Sequence, residues 1–160
     1  MADGVEVLIK ETKKTQGCIW VPDYICNEPL EALRDSRFNL VFYPIDRDLR
    51  PKWDVLEFLA EETARPDVFV LVHYFGFTND INGARMFCQK YQAELLEDAA
   101  HTLFPTGCIG QSDNAIIFSP RKLLSVPEGG LLVMPERFSH HLADGNRKSD
   151  KKVVIKWLAR

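Results

Sequence analysis

Apolar residues fall along this chain in short runs, separated by longer stretches in which they recur every three or four positions. The runs at 18–22, 40–45, 68–74, 94–96, 115–119 and 131–134 read as strands. Between them, 28–37, 52–63 and 80–92 carry helical spacing, as in Val55, Leu56, Leu59 and Ala60. This alternation predicts an α/β domain, a mostly parallel sheet of about six strands with helices on both faces. The run Val68-Phe69-Val70-Leu71-Val72 has no polar alternation, so it belongs at the sheet centre, covered on both sides. Asp80 stands where it can cap the third helix. Arg65-Pro66-Asp67 ends the second, because proline disfavours helical geometry in the residue before it. Toward the end, 146–152 is polar and basic and 153–158 is mostly apolar, which suits a further strand or a packed tail equally well. The expected division is an α/β segment over 1–138 and a tail over 139–160.

Length and composition narrow the classes. A chain of 160 residues, 46% hydrophobic and 27% charged, is long enough for one sizeable core and has no disordered or fibrous signature. Its net charge of −3 supplies no basic field, so nucleic acid is not an expected partner. Cys18, Cys26, Cys88 and Cys108 form no C-x-x-C pair, which argues against a zinc knuckle or dithiol motif and for free thiols in a reducing compartment. No apolar run approaches the roughly 20 residues of a membrane span, and the N-terminus has no signal-peptide core. The expected location is the cytoplasm. His140-His141 makes no metal site, since adjacent residues on a helix face different sides and no third ligand is evident.

The chemistry concentrates between residues 95 and 130. Leu95-Leu96-Glu97-Asp98 reads as a strand ending in an acid, followed by Ala99-Ala100-His101. Ser119-Pro120-Arg121-Lys122 comes after the next strand, and Glu128-Gly129-Gly130 after that. In an open α/β sheet the carboxyl ends of the strands form the ligand crevice, so Asp98, Ser119 and Lys122 should meet in one pocket. An acid and a lysine so placed suit pyridoxal 5'-phosphate (PLP), which needs an amine for its aldehyde and a carboxylate beside its ring nitrogen. Each residue also has an ordinary reading. Asp98 alone fits a cap on a helix starting at Ala99, Lys122 a solvated surface lysine, His101 a helix-surface histidine, and Gly129-Gly130 a tight turn. His73 and Tyr74 fit packing residues at the crevice rim.

Val72-His73-Tyr74-Phe75-Gly76, Glu97-Asp98-Ala99-Ala100-His101, Phe118-Ser119-Pro120-Arg121-Lys122 and Pro127-Glu128-Gly129-Gly130 stand in the order of successive motifs of the DegT/DnrJ/EryC1/StrS family. With Trp20-Val21-Pro22 and Tyr24 before them, the likeness runs over roughly residues 5 to 138. The chain therefore resembles PLP-dependent sugar aminotransferases of fold type I. The resemblance implies Lys122 as Schiff-base lysine and general base, Asp98 as partner of the pyridine nitrogen, His101 at the ring hydroxyl or face, and Ser119 as a phosphate ligand. It also implies a homodimer, a keto-sugar nucleotide as acceptor and an amino-acid donor such as glutamate. The family's Gly-Thr phosphate turn would precede residue 5, and its small C-terminal domain would follow this chain. Cys26 stands where the family commonly places an aromatic ring. The expectation is thus a central fragment or shortened relative, inactive alone. The alternative is a PLP-free relative serving as a folded interaction module.

Overall fold

The structure, a computed structural model, describes residues 2–11, 16–34, 38–111, 113–127, 130–141, 147–149 and 153–158. At the heart of its parallel region is β3 (Val68–Val72), whose first four residues are completely buried. On one side it pairs in parallel with β1 (Cys18–Pro22), and on the other with β4 (Glu94–Ala99). Beyond β1 lies β2 (Asn39–Tyr43), and beyond β4 lies β5 (Ala115–Phe118), both again parallel. From there the direction alternates. Antiparallel pairing joins β6 (Gly130–Pro135) to β5, β8 (Val153–Leu158) to β6 and β7 (Arg147–Ser149) to β8. The full order is β2-β1-β3-β4-β5-β6-β8-β7.

All six expected strands are present, and the run at 153–158 is a further strand rather than a packed tail. Between β5 and β6 the described residues hold only a 3-10 turn, Pro120–Lys122, and no crossover helix. A parallel return needs such a crossover, so β6 comes back antiparallel. The fourth strand runs beyond the apolar run at 94–96 through Glu97 and Asp98, as a strand ending in an acid implies, and closes at Ala99. Asp98 is in register with Val72 on one side and Ile117 on the other.

The helices cover both faces. α1 (Ala2–Glu11) and α2 (Asn27–Arg34) bury Val5, Leu8, Leu30 and Leu33 against Ile19, Val21, Val70 and Leu96. On the opposite face α3 (Trp53–Glu62) and α4 (Ile81–Tyr91) bring Leu56, Ala60, Ala84 and Phe87 onto Trp20, Phe69 and Leu71. Phe69 is ringed by aromatics, stacked on Tyr43 at 4.7 Å and tilted against Phe87 at 5.2 Å. Asp80 caps α4 as its position implies. One carboxylate oxygen accepts the Gly83 N–H at 3.0 Å, and the other accepts Trp53 Nε1–H at 2.8 Å, tying α4 to α3.

The early segment holds a helix over residues to which the sequence pattern assigns no element. Val5, Leu8 and Ile9 recur on it at three- and four-residue spacing and are buried together with Val7. Gly4 in its first turn lies against Leu96, Ile117 and Leu132, whereas Ile9 lies against Gly17, just before β1. The helix therefore runs counter to the parallel strands, its first turn toward their carboxyl ends.

Candidate functional site

Three strand ends deliver the candidate chemistry. After β3 come His73 and a 3-10 turn, Tyr74–Gly76, in which Phe75 takes a left-handed φ of 54° and Gly76 one of 84°. A bulky residue with positive φ is strained and persists only where its surroundings hold it. Beyond β4 the chain turns through Ala100 and His101. β5 is followed by Ser119 and the 3-10 turn that contains Lys122. These segments and the loop after β1 enclose a cleft of about 370 Å³. Its walls include Tyr24, Cys26, Tyr74 and Phe75, with Asp98, His101 and Lys122 among them.

Asp98 is half-buried, and one of its oxygens accepts the Ala100 N–H at 3.0 Å. No helix begins at Ala99, so the capping alternative is replaced by a tight turn, and Asp98 both makes that turn and lines the cleft. His101 is held from two sides. Its Nδ1 accepts the Phe75 N–H at 3.2 Å, its Nε2 is 3.5 Å from Lys122 Nζ, and its ring lies parallel to that of Phe75 at 5.9 Å. An imidazole that accepts at Nδ1 carries its hydrogen on Nε2, the ring nitrogen nearest Lys122 Nζ. Lys122 is exposed at the cleft, and neighbouring Arg121 pairs with Glu28 of α2 at 2.6 Å, anchoring the lysine turn. Ser119 precedes that turn, half-buried, without a capping hydrogen bond, and it is not one of the cleft-lining residues. Asp98, His101 and Lys122 thus meet at the cleft, while Ser119 stands apart. Glu128 and Gly129 of the glycine motif lie outside the described residues.

Burial depresses the His101 pKa first, the Lys122 charge adds to that, and Asp98 opposes both. The expected NMR titration midpoint lies below the usual 6.5, and Lys122→Met should move it upward. An unchanged midpoint in that variant would show that the two groups do not interact. Because the folded state resists protonation, the unfolded chain binds more protons between the depressed midpoint and 6.5. His101 therefore detracts from stability as pH falls through that window and contributes nothing to pH dependence above it.

Tyr74, expected as a packing residue at the crevice rim, and Tyr24 also line the cleft. The Tyr74 hydroxyl donates to the Tyr24 carbonyl at 2.6 Å, and the two rings pack at 5.7 Å. Burial pushes the Tyr74 phenol far up, so it stays protonated. The signal available in sequence was their place, since each aromatic follows the carboxyl end of an apolar run.

The family model of the DegT/DnrJ/EryC1/StrS aminotransferases matches residues 37–143, more than half of the chain, and that stretch contains Asp98, His101, Ser119 and Lys122. The chain belongs to the DegT/DnrJ/EryC1/StrS aminotransferase family. Solved structures share its fold. Helicobacter pylori PseC, an aminotransferase involved in the biosynthesis of pseudoaminic acid, superposes with a TM-score of 0.64 at 19% identity, over 99% of this chain and 45% of its own. DesI, solved in the presence of its TDP-sugar product, gives a TM-score of 0.57 at 27% identity, over 72% of this chain and 30% of its own. NtdA of Bacillus subtilis, with bound cofactor PMP, gives 0.58 at 17% identity, over 72% of this chain and 26% of its own. The chain thus spans less than half the length of each of these three structures. Among the described residues there is no group of three or more His, Cys, Asp or Glu placed to hold a metal ion, and no helix is long and apolar enough to cross a membrane.

Proposed function

We propose that this chain carries the cofactor-lysine half of a PLP-dependent aminotransferase that transfers an amino group to a keto-sugar nucleotide. The observation that carries the reading is the meeting of Asp98, His101 and Lys122, from the ends of β4 and β5, at one cleft. The cleft suits the cofactor at its ring and aldehyde ends. It has an acid, an amine and apolar walls from Tyr24, Tyr74 and Phe75, and its volume is that of an ordinary small-molecule pocket. When bound, the cofactor supplies an electron sink for charge developing at the donor's α-carbon. Lys122 would hold the cofactor covalently at rest and, once the donor's amine has freed its own, would take up and return the proton at that carbon, because it is the amine at the cleft. Asp98 keeps the ring nitrogen protonated, as an opposite charge favours the cationic form. His101, fixed by Phe75 N–H, offers its Nε2–H toward the ring oxygen or face. Ser119, just before the Lys122 turn, would offer its hydroxyl to the phosphate, as the family resemblance implies.

The sugar acceptor is supported by the DesI and PseC likenesses, and glutamate as donor by the family resemblance. The four free cysteines suit a cytoplasmic setting. A homodimer is supported by exposed apolar side chains that follow the carboxyl ends of β3, β4 and β5, namely Phe75, Phe77, Phe104, Leu123 and Leu124. Sedimentation at rising concentration should show the dimer, and a chain that remains monomeric throughout would refute it.

Titration with PLP should produce a visible absorption band, and borohydride should fix the cofactor to the peptide containing Lys122. Absence of both would favour the second reading, a cofactor-free interaction module. Cys26, exposed at the cleft where the resemblance implies an aromatic ring, favours that reading.

A further inference from the structure

Near its end β4 carries two consecutive acids, whose side chains leave the strand on opposite faces. Asp98 lines the cleft, and Glu97 is completely buried. Burying a carboxylate is tolerated only where hydrogen bonds replace its water. Glu97 accepts three. His73 Nε2–H donates at 3.0 Å, Gly110 N–H at 3.1 Å and Asn114 Nδ2–H at 3.3 Å. The donors come from the end of β3, the loop after β4 and the residue before β5. His73 is itself fixed, since its Nδ1 accepts the Asn79 N–H at 3.1 Å and so its hydrogen sits on Nε2, facing Glu97. Asn79 in turn donates to the carbonyls of Val72 and Leu49, both at 2.9 Å. The His73 N–H donates to the Asp98 carbonyl at 2.9 Å, which links this buried network directly to the acid at the cleft.

We propose that Glu97 is a positioning residue, clamping the end of β3 and the approach to β5 onto β4 so that Asp98 is held in place at the cleft. A single buried acceptor that gathers three segments fixes their relative positions more strictly than separate surface bonds would. The inference rests on the cofactor reading for its binding consequence only, because the network is a property of the chain itself.

Amide hydrogen exchange on the full chain tests it, comparing wild type, Glu97→Gln and Glu97→Ala. Glutamine keeps an acceptor for His73 and Gly110, and the Asn114 amide can flip to accept from the new NH₂. Glu97→Ala should speed exchange by about tenfold or more at Gly110, and equally at His73 and Ala100, whose N–H groups bond to Asp98, while the β1 and β2 amides are unchanged. Glu97→Gln should stay within about threefold of wild type. Acceleration at Gly110 alone would overturn the proposal and leave Glu97 as a loop anchor. Equal loosening in both variants would overturn it too, since charge rather than hydrogen-bond geometry would then be what matters. Should Glu97→Ala not fold, His73→Asn removes one donor while keeping an acceptor toward Asn79, and Ala100 should loosen. Unchanged protection of Ala100 in that variant overturns the proposal. In the binding arm, Glu97→Ala should weaken the affinity for added PLP about tenfold and Glu97→Gln should restore it. A wild-type chain that binds no PLP would refute the cofactor reading, while the exchange results still decide the role of Glu97.

Discussion

Lys122→Ala should abolish covalent attachment of PLP altogether, leaving neither a visible band nor a borohydride-fixed adduct. The loss is all-or-none because Lys122 is the only amine lining the cleft among the described residues. The backbone around it is independently secured by Arg121 to Glu28 and by the N–H of Lys122 to the carbonyl of Ser119 at 3.0 Å. Lys122 is itself exposed, so removing it should leave thermal stability within about 0.5 kcal/mol of wild type. Loss of labelling would then report chemistry and not unfolding. Lys90→Ala is the matching control. Its amine hydrogen-bonds Glu57 on the outer surface, an interaction that raises its pKa and keeps it protonated and unreactive. Labelling should survive that change. A Lys122→Ala chain that still forms one specific covalent adduct in the cleft would refute the assignment.

What could be read from the sequence follows from how local each determinant is. The all-apolar run of β3 and the three-and-four spacing of α3 and α4 are local patterns, and the structure places those elements where the patterns put them. The six strands were legible for the same reason. The parallel direction of β1 to β5 was legible with them, but the antiparallel return of β6 was not, because it depends on the absence of a crossover helix among the described residues between β5 and β6. The pattern assigns no element over residues 2–11, where Val7-Leu8-Ile9 is a run too short to choose between strand and helix, and the sheet beneath α1 decides the matter. At the site, the acid and the lysine were visible as residue types at the ends of apolar runs. The hydrogen bonds that orient them were not. Glu97 reaches His73, Gly110 and Asn114 across 24, 13 and 17 positions, and no local spacing signals such pairings. The left-handed Phe75, which turns its N–H to His101, is equally invisible in a string of residues.

Asp98 has two jobs in the structure that substitution can separate. Its oxygen completes the turn to Ala100 N–H, and its charge faces the cleft. Asp98→Asn keeps an acceptor for the turn and removes the charge, so stability should hold while affinity for PLP falls. A hydrogen bond to a charged group contributes about 1.5–3 kcal/mol, which corresponds to a loss of roughly 10- to 100-fold. Asp98→Ala removes the turn acceptor as well, and should lose a further ~1 kcal/mol of folding stability through the unsatisfied Ala100 N–H. The comparison discriminates because the turn alone predicts the opposite order, with asparagine neutral in both measurements and alanine costly in stability only. Calorimetric unfolding of the free chain gives the stability term, and titration of the absorption band gives the binding term. Should Asp98→Asn bind PLP as tightly as wild type while Asp98→Ala is destabilised by about that amount, Asp98 is a turn residue and the ring nitrogen must find its partner elsewhere.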